Sequence, residues 1–298
     1  MREPSDARTQ GAPIATAIGA TKDAAARRVL AFQEPEGIAG RDTITAVLVR
    51  SWNLYHGNTV PPSRRNFLER MVRLAAEDRP AVLCLQELPA WALPRLQGWS
   101  GMTVVADLAQ RPMLGPLPSH QELGRRLTEL NPGLLRSAFS GQGNAILTTL
   151  ELLGRWTTVL NPRGLRRRTA APLLWKLAWA KERRICQAAR LRLPGGQTAL
   201  VANLHATGGN PAITATEVDR AAAFVTRIAA PGEPIVVAGD FNTAPDLGRH
   251  GFDQAGWGID HILVRGLQAG EQRSWPEERR RLEGVLVSDH APVEREVR

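Results

Sequence analysis

The run Pro234-Ile235-Val236-Val237-Ala238-Gly239-Asp240-Phe241-Asn242 is apolar until it delivers a carboxylate and a carboxamide two residues apart. Residues i and i+2 of a strand face the same way, so a strand reaching Asn242 would let Asp240 and Asn242 act on one water or one phosphate. Other short apolar runs end or begin in the same manner. In chain order they supply Asn53, Glu87, His205, Asp260, and Asp289 with His290. Hard divalent cations such as Mg²⁺ take oxygen ligands, one or two carboxylates with water and substrate phosphate, and this set offers four carboxylates. A histidine beside a phosphate donates a hydrogen bond when charged, or serves as acid or base when it titrates near neutrality.

The elements that must hold these residues are strands with helices between them. A strand from Ile44 runs into Ser51-Trp52-Asn53. A helix entered at Pro61-Pro62-Ser63, with Ser63 as its cap, carries the stripe Phe67, Met71, Leu74. Ala81 to Leu85 is a second strand ending at Gln86-Glu87. Ser119-His120-Gln121-Glu122 fits a capping box for a helix through about Leu130, and Asn144 to Thr149 reads as a strand. Arg184 to Leu193 alternates with period two, breaks at Pro194-Gly195-Gly196, and pairs with Thr198 to Leu204 as a hairpin. Thr214-Ala215-Thr216-Glu217 fits a second capping box, and strands near 260–264, 285–288 and 292–297 complete the chain.

Residues 1–42, rich in Ala, Thr, Gly and Pro without sustained apolar period, are expected to form a flexible tail ahead of one domain spanning 43–298. No apolar run approaches the roughly 18 residues of a membrane span. The first residues lack the order of a signal peptide, so a cytoplasmic location is expected. Cys84 and Cys186 sit inside apolar strand patterns and are expected to be buried, reduced thiols. The formal charge of +9 points to a polyanionic partner. Lysine fills only three basic positions (Lys22, Lys176, Lys181), an arginine bias that a high-GC coding sequence produces by itself, so the charge is modest support.

Seven segments together resemble the endonuclease/exonuclease/phosphatase superfamily, the DNase I-like fold. They are Ser51-Trp52-Asn53-Leu54, Leu85-Gln86-Glu87, Gly143-Asn144-Ala145-Ile146-Leu147, Asn203-Leu204-His205, Gly239-Asp240-Phe241-Asn242, Gly258-Ile259-Asp260-His261-Ile262-Leu263 and Ser288-Asp289-His290-Ala291-Pro292-Val293. The resemblance implies a four-layer α/β/β/α sandwich, two mixed β-sheets packed face to face with helices outside. It implies Glu87 as principal metal ligand, Asn53 on the metal or a phosphate oxygen, and Asp289 as a further ligand, for Mg²⁺ with Mn²⁺ as substitute. It also implies Asp240 as the group that orients or deprotonates the attacking water, Asn242 and Asn144 at the substrate phosphate, His290 as the essential histidine kept charged by Asp260, and His205 at the phosphate or the leaving oxygen. His56 reads as a loop histidine, and His120, His250 and His261 as surface or packing residues. Tyr55, the single tyrosine, stands where the abasic-site branch is expected to carry another residue, which argues against abasic-site repair.

The expected activity is Mg²⁺-dependent hydrolysis of phosphodiesters, with nucleic acid as partner. The alternatives are a lipid or small-molecule phosphoesterase of the same superfamily, and a silent binding module, against which the retained Glu87, Asp240, Asp289 and His290 argue. Arg163 to Arg168, followed by Leu173 to Trp179, combines arginines that could grip phosphates with tryptophans that could stack on bases. The same 163–184 stretch would suit an anionic membrane surface. No obligate protein partner is implied.

Overall fold

Alternation decides which side chains of each strand enter the core. In the computed structural model, which describes residues 46–111, 140–161, 183–254 and 256–298 together with the backbone of 113–114 and 117–118 and residue 126, Val47, Val49, Val82, Cys84, Val201, Val236, Ala238, Ile262 and Val264 share one apolar cluster. Their sequence neighbours on the same strands, Leu83, Leu85, Leu200, Ile235, Val237 and Leu263, lie in two other clusters. A sheet that buries both faces is covered on both. These two sheets meet across the first cluster and carry helices on their far faces.

The first sheet orders Arg273–Ser274, Val293–Val297, Val47–Asn53, Val82–Leu88, Gln142–Thr148 and Thr103–Gln110 from edge to edge. The second orders Asp260–Arg265, Ile235–Asp240, Thr198–His205, Ile185–Arg192 and Glu151–Val159. Each is mixed. Val47–Asn53 runs parallel to Val82–Leu88 and antiparallel to Val293–Val297, while Thr198–His205 is parallel to Ile235–Asp240 and antiparallel to Ile185–Arg192. The helices Leu68–Ala76 and Leu96–Ser100 cover the first sheet, and Pro211–Ile228 covers the second. The result is the expected layered α/β sandwich, with few helices. Residues Asp42–Arg298 group as one compact unit. The predicted tail, the predicted helix from Ser119, His120 and the Arg/Trp-rich run all lie outside the described residues.

Three local expectations are corrected. The first helix begins at Leu68, not after Ser63: Asn66 Oδ1 accepts the Leu68 N–H, while Ser63 Oγ accepts from the N–H of Arg65, ahead of the helix. The helix assigned to the Thr214 box starts at Pro211, capped by Asn210 Oδ1 on the Ile213 N–H. Glu217 instead takes the Thr207 N–H and hydroxyl, tying down the loop after His205. The strand with the Asp240 carboxylate ends there, because Asn242 adopts a left-handed φ of 53°. Asp240 and Asn242 are therefore not strand neighbours on one face. Sequence reading also passed over the strands Thr103–Gln110 and Glu151–Val159.

Cys84 and Cys186 are free and fully buried, and burial pushes both thiols far up. Among the described residues no helix is long and apolar enough to cross a membrane.

Candidate active site

Toward one end of the sandwich the inward rows change from apolar to polar. Val236 and Ala238 are followed by Asp240, Val264 and Ile262 lead back to Asp260, Val201 is followed by Asn203 and His205, and Val49 by Ser51 and Asn53. Register aligns three of these: His205 pairs with Asp240, and Asp240 with Asp260. Adjacent strands lie about 4.8 Å apart, so the three side chains stand side by side. Gly239 permits this. Its φ is 143°, and a Cβ there would lie 2.0 Å from the Leu204 carbonyl oxygen of the neighbouring parallel strand.

Glu87 reaches the same end by a different device. Period two places Val82 and Cys84 inward and would turn residue 87 toward the helices. The pairing slips between Leu85 and Leu88, three steps against the two from Ala145 to Gly143, and Glu87 takes φ 52°. A bulge of this kind re-aims a side chain. Leu85 and Leu88 both stay on the helix side, leaving Gln86 and Glu87 for the polar end.

The polar end has a bonded half and a looser half. In the first, His290 Nδ1 lies 2.7 Å from Asp260 Oδ2, and His290 Nε2 is 3.7 Å from Asp240 Oδ2. Asn53 Nδ2 donates to Asp240 Oδ2 at 3.0 Å, and the Asn242 N–H donates to Asp240 Oδ1 at 2.9 Å. The His290 loop is pinned as well. Trp52 Nε1 and Arg280 Nη1 donate to the His290 carbonyl, and Ser288 Oγ accepts the His290 N–H while donating to the Asn53 carbonyl.

In the second half, Glu87 is 20% exposed and lies between two imidazoles, His56 Nε2 at 3.6 Å and His205 Nε2 at 3.8 Å. His205 is also 3.5 Å from Asp240 Oδ2. Its ring is held by Gln142 Nε2, 2.9 Å from Nδ1, and by Arg184 Nη1, 3.0 Å from Nδ1.

Electrostatics separate the histidines. Burial alone would lower His290, but the hydrogen bond to Asp260 and the charges of Asp260, Asp240 and Asp289 raise it to about 9, so it is an imidazolium at neutral pH. Burial, with the charges of Arg184, His290 and His56, holds His205 well below the ordinary range, so it is neutral. Burial raises Glu87 to about 7, with Asp240 and Asp289 adding to the rise against Arg184 and Asn53. Asp240 is pushed up to about 6, first by burial and then by Asp260.

Asp240, Asp260 and His290 bring ligand atoms within 4.8 Å of one another. The trio could hold a cation, which would displace the His290 proton, and without one it can hold and move protons. Glu87 is different. A carboxyl raised by burial, with two further carboxylates adding to the rise, would be relieved by a cation, and Glu87 offers it carboxylate oxygens.

A family model described as the Endonuclease/Exonuclease/phosphatase family matches residues 51–290. The chain belongs to that family. Solved structures of endonuclease/exonuclease/phosphatase type share its fold. The human Nocturnin catalytic domain with bound sulfate matches at 15% identity and a TM-score of 0.59, over 85% of this chain and 94% of that one. D. rerio TDP2 complexed with a single-strand DNA product matches at 12% and 0.56, over 85% and 99%. The mannosyl-6-phosphatase of Bacteroides thetaiotaomicron VPI-5482 matches at 14% and 0.55, again over 85% and 99%. No curated protein matches the chain.

This endonuclease/exonuclease/phosphatase chain brings Asn53, Glu87, His205, Asp240, Asp260 and His290 to one end of its sheets. Asp289 is exposed on the loop before His290, and its charge is felt by Glu87. Asn242 turns its carboxamide into the adjoining loop, donating to the Ala206 carbonyl at 3.0 Å. Asn144 is 1% exposed, with an Oδ1 that lacks a donor. His250 pairs with Asp219 at 2.7 Å, and His261 is a packing residue whose Nε2 faces the carbonyls of Thr243 and Gly258.

Sequence reasoning missed Gln142 and Arg184 and set His56 aside. Gln142 was signalled by alternation, since Ile146, Asn144 and Gln142 share one face. Arg184 opens the strand that leads to Arg192 and was lost among neighbouring arginines.

Proposed function

We propose that the protein is a Mg²⁺-dependent phosphodiesterase that hydrolyses nucleic acid by in-line attack of water. The observation that carries the reading is the Asp240 carboxylate held by Asn53 and Asn242 while facing a His290 that Asp260 keeps charged. Asp240, titrating at about 6, is poised near neutrality to orient a water and accept its proton. His290 offers an N–H and a positive charge where negative charge grows on the phosphate oxygens. The neutral His205 contacts the phosphate as a hydrogen-bonding ring, while Asn242, its carboxamide turned to Ala206, acts by holding Asp240 through its N–H. Glu87, Asn53 and Asp289 would hold the cation, which when bound neutralises phosphate charge and assists the leaving oxygen.

Nucleic acid is favoured by the charge of +9 and by Trp257, 99% exposed three residues before Asp260 and available to stack on a base. The similarity to TDP2 in complex with a DNA product is consistent with this. A second reading, a lipid or small-molecule phosphoesterase, draws on the same exposed Trp257 with Ile259 beside it, and on the mannosyl-6-phosphatase similarity. One assay separates them: purified protein with Mg²⁺ or Mn²⁺ against single- and double-stranded DNA, RNA, sphingomyelin vesicles and inositol phosphates. Cleavage of the nucleic acids is expected. Cleavage of vesicles or inositol phosphates alone would sink the nuclease reading.

A further inference from the structure

His56 is one of two consecutive non-glycine residues in the left-handed region, with φ 47° at Tyr55 and 53° at His56. Such conformations cost on the order of 1–3 kcal/mol each and persist where the surroundings over-determine them. Here they do. Asn66 Nδ2 donates to the His56 carbonyl at 3.0 Å, the Phe67 N–H to the Gly57 carbonyl at 2.9 Å, and the Asn58 N–H to the Tyr55 carbonyl at 2.9 Å. Gly57 packs so closely that a Cβ there would lie 2.7 Å from both Asn66 Oδ1 and Leu68 Cβ. The strained turn follows Asn53 directly, and it leaves the His56 ring 6% exposed with Nε2 3.6 Å from Glu87 Oε2.

We propose that His56 is an imidazole ligand of the cation held by Glu87, and that it tilts the site toward Mn²⁺ over Mg²⁺. The inference rests on the reading of Glu87 as the cation's carboxylate. The separation suits a shared ion. Two ligands each roughly 2.0–2.2 Å from one metal stand about 3–3.5 Å apart, so small movements bring both into range. The separation is longer than a good hydrogen bond. Imidazole is a ligand of transition metals, whereas Mg²⁺ prefers an all-oxygen shell and dehydrates reluctantly. Adding one nitrogen to an oxygen set therefore discriminates between two ions of equal charge.

The test is binding to the full chain without substrate, Mn²⁺ by electron paramagnetic resonance titration and Mg²⁺ by calorimetry. His56→Asn suits the turn because asparagine tolerates positive φ. His56→Gly supplies the same comparison should the asparagine variant fail to fold. The expected result is Mn²⁺ binding weakened at least about tenfold, as for loss of a ligand or its close partner, with Mg²⁺ affinity within about threefold of the parent. Unchanged Mn²⁺ affinity, or equal losses for both ions, would overturn the proposal. Glu87→Gln separates the two levels. Loss of both ions there, with His56→Asn silent, would discard His56 alone, whereas undiminished binding in Glu87→Gln would discard the reading of Glu87 beneath it.

Discussion

The two halves of the polar end are built to different tolerances. Around Asp240, Asp260 and His290 the contacts are hydrogen bonds of 2.7–3.0 Å, and the loop that carries His290 is tied to the strand of Asn53. Around Glu87 the nearest imidazoles stand at 3.6 and 3.8 Å, and burial, not bonding, dominates its protonation. Hydrogen bonds made in advance cost no reorganisation during reaction. A carboxyl raised by burial, with a hydrogen bond from Asn53, gains further partners when a cation arrives. The difference separates a half assembled by the fold from a half that ion binding completes.

Breaking the bonded half should have the largest effect. Asp240→Asn or His290→Ala is expected to lower turnover at least about a hundredfold with the fold intact, since each removes a transition-state contribution, not core packing. Steady-state rates beside melting curves check this, and undiminished rates in either variant would show the bonded half to be misassigned.

The looser half should show itself in pH dependence. Glu87 titrates at about 7 in the fold against an ordinary 4.5, and Asp240 at about 6 against 3.8. The folded chain therefore binds these protons more tightly than the unfolded chain. Their contribution to stability is present at low pH and is lost as pH rises through about 6 to 7. His290 has the same sign in a higher window, lost as pH rises through about 9. His205 and His261, both held low by burial, act in the opposite sense below about 6.5, so the Glu87 part is read as a difference: the melting temperature of the metal-free parent relative to Glu87→Gln should fall between pH 5 and about 7.5. Saturating Mg²⁺ should reverse much of that fall, because a cation favours the ionised carboxylates. A parent-minus-variant difference that rises over this range would contradict the burial of Glu87.

A smaller effect is expected from the arginine run at 163–168. Alanine at Arg166, Arg167 and Arg168 together should weaken binding to DNA and flatten its salt dependence, with little change at the active site. An unchanged salt slope would remove this run from the substrate path.

Most of the bonded half was legible because its residues close or precede apolar runs, and alternation plus strand order then fixes where a strand side chain points. Asp240 and Asp260 needed nothing more. The looser half was less legible because its geometry comes from exceptions to alternation. The bulge that turns Glu87 inward and the positive φ values of Glu87, Tyr55 and His56 arise from tertiary packing, which a period-two pattern does not encode. The same cause moved Asn242 off its expected face. The edge strand Glu151–Val159 alternates exposed and half-buried positions once folded, but its sequence interrupts the apolar alternation with Gly154 and it carries no site residue.

The most direct test of the account is hydrolysis of a simple phosphodiester, bis(p-nitrophenyl) phosphate, by the parent chain and Glu87→Gln during titration of Mg²⁺ into chelator-treated protein. Activity is expected to appear only with the cation in the parent and to fall at least about a hundredfold in Glu87→Gln at equal Mg²⁺. Full activity without a divalent cation, or a Glu87→Gln variant as active as the parent, would contradict it.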